Sequence, residues 1–258
     1  MNAVLTAAAA SGGGTCQSYS TGGRSFENCN YTVKAPFASG DSVGTVGGTP
    51  GVYAWDFGVH DARRTPIVYA NPSRYDTHPS GLDSFHVACP LDYFDAAKRS
   101  VLQSFLGDGT TPRTIAPVCG TIEQDIAGTA QGNWFHPGSP THPEDPHLAL
   151  VHDNVMPNLG VFSVGTSVAT LASGVYYFAP TTSGWTNLDF SLATPGVVYC
   201  YENLRNGRYA AAIPNTVILA QLTSATTLQI EKRTATSCAA LGSEAGWGMS
   251  PSASSFER

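Results

Sequence analysis

The chain has 258 residues, of which 42% are hydrophobic and only 12% charged, with a formal net charge of -6. That is enough chain for a sizeable core, and it is too apolar and too weakly charged to be disordered. The acidic balance and the lack of any Lys/Arg run exclude nucleic acid and anionic membrane surfaces as fitting partners.

The first stretch, MNAVLTAAAASGGG, is apolar but has no basic n-region, so it makes a poor signal peptide and reads as a flexible arm over residues 1–15. No apolar run reaches the ~18 residues that a membrane helix needs. Gly and Pro, 27 and 17 residues, cut the chain into short segments. Alternating or β-branched runs fill the spaces between them: Tyr31–Val33, Ser42–Val46, Val52–Val59, Pro66–Ala70, Ser84–Ala88, Thr121–Gln124, His147–His152, Gly160–Val164, Val175–Ala179, Leu188–Leu192, Val197–Glu202, Val217–Thr223 and Thr227–Lys232. Their lengths and spacing predict a mainly β fold, a barrel or sandwich. One helix is expected over residues 95–106. Asp95 caps it, Val101, Leu102 and Phe105 recur at helical spacing, and Gly107 ends it.

This reading gives a β-barrel-like region over residues 16–159, an additional β region over 160–240 packed on it, and a polar tail over 241–258. Six cysteines, Cys16, Cys29, Cys89, Cys119, Cys200 and Cys238, are widely spaced with no C-x-x-C pair. That argues against a zinc ribbon or a thioredoxin-like motif and for disulfide staples in an oxidising compartment. Fifteen pairings are open to six cysteines, with Cys16 and Cys29 placed to close a short loop. The compartment expected is secreted or cell-surface.

Chemistry-bearing residues concentrate between Cys119 and Asp153, which holds four of the seven histidines, a Gly-rich turn and an apolar run. His147 and His152 lie five apart, so strand alternation turns them to opposite faces. His60-Asp61 and His152-Asp153 each end an apolar run. If the two pairs meet in space they make a two-His, two-carboxylate metal site; otherwise each Asp opens a turn. Glu123 and Asp125 share a strand face, as paired carboxylates do in glycosidases, or else mark a solvent-facing edge. Asp56, in an aromatic run, needs a partner if buried. His78, His136 and His142 stand beside prolines in polar loops. Trp134, Phe135, Trp55 and Trp185 are candidates for stacking on sugar rings, against the usual role of strand aromatics as core. No G-x-S-x-G elbow, P-loop or dinucleotide fingerprint occurs.

The segment VKAPFASGDSVGTVGG, with Val33, Ala35, Pro36, Gly40, Val43 and Gly47, is followed later by Gly128, Gly132 and the run Pro146-His147-Leu148-Ala149-Leu150. Together these resemble the β-barrel core of the lysostaphin-type zinc endopeptidases, the duplicated hybrid motif fold, over residues 30–155. VVYCYENL and ILAQLTSATTLQIE are similar to an added β region of uncharacterised secreted bacterial proteins. The resemblance implies a cell-envelope setting and a zinc site built from an early H-x-x-x-D and the second His of H-x-H. Here Ala149 stands at that second His, and no H-x-x-x-D precedes Val33. Only His147, matching the family's non-ligand catalytic His, is retained. Zinc needs three protein ligands to hold an activated water, so the resemblance implies a degenerate barrel without a metal cofactor.

Three functions are therefore expected. The first is a secreted, non-catalytic binding protein for an extracellular glycan or peptide. The second is a zinc-dependent cell-wall hydrolase with a rearranged site of His147, His152, Asp153, His60 and Asp61. The third is a self-associating structural protein that docks its N-terminal arm into a neighbour.

Overall fold

The computed structural model describes residues 7, 12–21, 24–42, 48–49, 52–53, 57–75, 84–141 and 144–258. The chain divides into two units, Met1–Phe57 and Gly58–Arg258. Most of the expected arm, the run Ser42–Val46 beyond Ser42, and Trp55, Asp56, His78 and His142 lie outside the described residues.

In the first unit, β1 (Gly14–Thr21) and β2 (Arg24–Tyr31) pair antiparallel from Gly14↔Tyr31 to Thr21↔Arg24. Cys16 lies directly opposite Cys29, and the two form a disulfide. The expected short-loop closure is therefore made, as a cross-strand staple in a hairpin that the alternation pattern did not mark. The sequence signal was Gly22-Gly23, the dipeptide favoured in two-residue hairpin connections. Two short strands, β3 (Gly48–Thr49) and β4 (Val52–Tyr53), also pair.

The second unit is sandwich-like rather than a closed barrel. After a short pair, β5 (Val59–His60) with β6 (Val87–Ala88), come α1 (Ala96–Gln103) and two four-stranded antiparallel sheets. One sheet has the order β10 (Gly174–Phe178), β9 (Gly160–Val164), β8 (Leu148–His152), β7 (Gly132–Trp134). The other has β11 (Val198–Tyr201), β12 (Val217–Ser224), β13 (Thr227–Arg233), β14 (Ser254–Glu257). The β7 and β14 edges are stitched where Phe135 and Glu257 exchange backbone hydrogen bonds of 2.7 and 2.8 Å.

Period-two alternation explains the core. Trp134, Leu150, Phe162 and Phe178 from one sheet meet Tyr201, Ile218, Leu222, Leu228, Ile230 and Phe256 from the other. Phe162, Phe178, Phe190 and Tyr201 pack at ring separations of 4.9 to 5.7 Å, mostly edge to face. Each buried ring of this kind stabilises the fold by about 1.5–3 kcal/mol. The alternate residues of β11 and β12, Val198, Cys200, Val217 and Leu219, face a second cluster with Cys238 and Trp247. The Cys200–Cys238 disulfide lies in that cluster, and Cys89–Cys119 is the third bridge.

Several expectations are adjusted here. The line drawn between residues 159 and 160 falls between β8 and β9, which pair from Leu148↔Val164 to His152↔Gly160. The expected polar tail contains β14, because Phe256 is 1% exposed and the strand completes a sheet. Helix α1 is capped as expected, with the Asp95 carboxylate accepting the Lys98 amide at 2.9 Å. Its regular part ends at Gln103, however, and it buries no residue; Val101 and Phe105 are exposed. Pro66–Ala70, Thr121–Gln124 and Leu188–Leu192 are not ladder strands.

Candidate functional site

The same alternation that sends Trp134, Leu148, Leu150 and Phe162 inward sends Asn133, Ala149 and Ser163 outward. The registers Asn133↔Ala149 and Ala149↔Ser163 place these three side by side across β7, β8 and β9. They form the floor of a cleft of about 700 Å³, within the range typical of ligand pockets. Tyr69, Tyr75, Phe135 and His147 line its walls, with Thr141, Glu144, Asp145, Thr166 and Ser173 among the remaining lining residues. The Tyr69 and Tyr75 rings stack at 3.6 Å, and Phe135 meets Tyr75 and His147 edge-on at 6.0 and 5.0 Å. No Lys or Arg lines the cleft among the described residues.

The wall is fastened by carboxylates. Asp125 accepts the Ala70 amide at 3.0 Å and the Asn133 amide at 2.7 Å, so it ties the segment carrying Tyr69 to β7. Gly132, at φ 124, allows this approach, since a Cβ there would overlap the Asp125 carboxylate. The Tyr75 hydroxyl accepts from the Asn133 side-chain amide at 2.9 Å. Burial and the nearby Asp125 charge push the Tyr75 phenol up from its ordinary value. Glu123 accepts the Asp125 amide. Burial, followed by the Asp125 carboxylate, raises the Glu123 carboxyl to about 7, against the backbone hydrogen bond from Asp125. The paired carboxylates thus occupy a half-buried network rather than an open strand edge.

His147 is 9% exposed and its ring is committed on both sides. Nδ1 accepts the His136 amide at 3.2 Å, which places the proton on Nε2. Nε2 then donates toward Pro140 O at 2.9 Å and Thr141 O at 3.1 Å. The imidazole clamps the Pro-rich loop and has no lone pair left for a metal. His136 Nδ1 meets Ser139 Oγ at 3.1 Å within the same loop.

The four residues of the expected two-His, two-carboxylate site do not converge. His152 faces Pro157 O through Nδ1 at 2.8 Å and Asp189 through Nε2 at 3.2 Å. Burial works to raise Asp189, but Ser191 hydrogen bonds and His152 outweigh it and hold the carboxyl below its ordinary value. Asp153 accepts the Val155 and Met156 amides and pairs with Arg208 at 2.8 Å. His60 is exposed on β5 opposite Val87, and Asp61 accepts from Arg63 at 2.7 Å and from the Tyr93 hydroxyl at 2.6 Å. Each Asp after a His therefore serves a local turn or ion pair, and none of these four belongs to a three-ligand cluster among the described residues. The one such cluster, Cys16, Glu27 and Cys29, has both sulfurs consumed by a disulfide.

The expected stacking residues are also placed. Trp134 is fully buried, its indole N–H donating to Ala130 O at 2.8 Å and its ring carrying the Arg258 guanidinium at 3.8 Å. Trp185 is half-buried between two core clusters. Of the three that are described, Trp134 and Phe135 both border the cleft, and Phe135 stands in its wall with a core role beside it. Tyr69, Tyr75, Asn133 and Ser163 were missed as site residues. The alternation of β7–β9 marked the outward positions, but no local pattern joined them to Tyr69 and Tyr75. Among the described residues no helix is long and apolar enough to cross a membrane, and the three disulfides are compatible with a secreted or extracellular protein. No family model, no curated protein and no solved structure matches the chain.

Proposed function

We propose that this chain is a secreted, non-catalytic binding protein that takes a neutral extracellular glycan in the cleft on β7, β8 and β9. The observation that carries this reading is the lining itself. A flat floor of Asn133, Ala149 and Ser163 lies beside an aromatic wall, with hydroxyl groups at the rim and no Lys or Arg among the described residues. Sugars need this pairing of apolar ring faces with neutral hydrogen-bonding groups. Glu144 and Asp145 at the rim disfavour sulfated or uronic-acid glycans by like charge. The occupied nitrogens of His147 support binding rather than catalysis. In this reading no metal is required.

The test is titration calorimetry against a panel of neutral and anionic cell-envelope oligosaccharides, with Ser163→Trp as the blocking variant. Ser163 is exposed, so a Trp there fills the cleft floor while the inward face of β9 is untouched. Saturable binding to neutral glycans that Ser163→Trp abolishes is expected. Equal binding by Ser163→Trp, or binding of short peptides alone, overturns the reading. Release of soluble fragments from cell-wall material, lost on His147→Ala, would establish a hydrolase instead.

A further inference from the structure

We propose that Glu123 is a pH-operated release for the wall of this cleft: when it loses its proton, the Asp125 staple lets go of Ala70 and the Tyr69 side of the cleft opens. The inference rests on the cleft being the binding site, and it adds how that site is regulated.

The geometry is a short chain of contacts. Tyr69 lines the cleft, and the next residue, Ala70, is tied to β7 through the Asp125 carboxylate, which also takes the Asn133 amide. Glu123 sits two residues before Asp125 and takes its backbone amide. The charged and titratable groups that face Glu123 are Asp125 from its own segment, Arg258 beyond β14, and Tyr75 from the wall. Arg258 does not neutralise the pair at contact. Its guanidinium donates to the carbonyls of Ile126, Thr129 and Gln131 and stacks on Trp134.

A protonated Glu123 is neutral beside the Asp125 carboxylate. Once ionised, it places a second negative charge in a half-buried network. Like charges this close disfavour the arrangement that holds them together. At its other end the wall is held by contacts that do not involve Glu123 or Asp125. Arg74 pairs with Glu257 at 2.5 Å, and Thr141 Oγ1 donates to Arg74 O at 2.6 Å. The Ala70 end therefore swings while the Arg74 end acts as the hinge.

The sign follows from linkage. A carboxyl raised from 4.5 to about 7 in the closed arrangement favours closure fully below pH 4.5, and that contribution is lost as pH rises through about 7. The full shift would change the closed-to-open ratio about 70-fold between pH 5 and 8. Solvent screening of a half-exposed carboxyl brings the expected change to about tenfold.

The test is amide hydrogen exchange on the full chain without ligand, expressed as protection factors so that the intrinsic pH dependence cancels. Protection at Ala70 and Asn133 should fall about tenfold from pH 5 to 8, while Phe162 and Leu219 in the sheets hold steady. In Glu123→Gln the fall should vanish, with Ala70 protected at both pH values. No fall in the wild type, a fall shared equally by the sheet amides, or the same fall in Glu123→Gln overturns the proposal. If Glu123→Gln does not fold, the wild-type series decides by the same criteria. Because no glycan enters the measurement, failure of glycan binding and failure of the release are read separately.

Discussion

The side chain of Gln124 pairs with both backbone polar groups of His152, donating to its carbonyl at 3.0 Å and accepting from its amide at 2.7 Å. A side-chain amide here does the work of a strand neighbour at the end of β8, where β7 has run out. Gln124→Glu keeps the acceptor, loses the donor and points a charge at a carbonyl. The expected loss is about 1–3 kcal/mol, measured by urea unfolding, with Gln124→Ala at the lower end because it leaves no charge behind.

Close approach fixes Gly165. A Cβ at this position would run into the carbonyls of both Asp145 and His147, and the Gly165 amide donates to His147 O at 2.9 Å. Backbone cannot step aside as a side chain can. Gly165→Ala should cost about 1–3 kcal/mol as overpacking and should loosen the Asp145–His147 turn that edges the cleft. Thermal unfolding of the variant checks this, and an unchanged midpoint would show that the turn yields freely.

Acid should weaken the fold through Asp153. Burial tends to raise this carboxyl, but hydrogen bonds from Arg208, Met156 and Val155 outweigh it and hold it below its ordinary 3.8. A carboxyl depressed in the folded state contributes stability that is present above the unfolded value and lost as pH falls through the folded one. Stability should therefore drop below about pH 4. Asp153→Asn should lower stability at pH 7 by about 2 kcal/mol, because Arg208 loses a charged partner, and should flatten the acid limb. Chemical denaturation at pH 3, 5 and 7 resolves both effects.

The Cys200–Cys238 bridge fastens the outer face of β11 to the segment after β13, with both residues almost completely buried. Replacing both by Ala should cost about 2–5 kcal/mol. Alkylation of the unreduced, denatured protein should add no mass, since all six cysteines are paired. Uptake of a thiol label would contradict the pairing.

The strands β8 to β13 were legible because short apolar, β-branched or aromatic runs bounded by turn residues mark a strand whether one face is buried or, as in β11 and most of β12, both, and β12 runs close to its expected bounds. The hairpin β1–β2 was not, since its residues are mostly polar. Nor was β14, since a single Phe256 makes no pattern. The candidate site was legible in fragments. Glu123, Asp125, His147 and Phe135 were singled out, but their roles were set by partners that the local sequence does not name.

The sequence by itself determined the class of molecule: mainly β, sparsely charged, stapled by disulfides and furnished with one capped helix. Those properties follow from composition and short-range periodicity, which act residue by residue. Only the tertiary structure decided what the segment Cys119–Asp153 does. It turned His147 from a catalytic candidate into a loop clamp by bringing Pro140, Thr141 and His136 to its two nitrogens. It carried Ala70 to Asp125 across 55 positions, closing one wall of a cleft. Contacts of that span depend on how sheets and connections pack, and no local pattern of side chains encodes them.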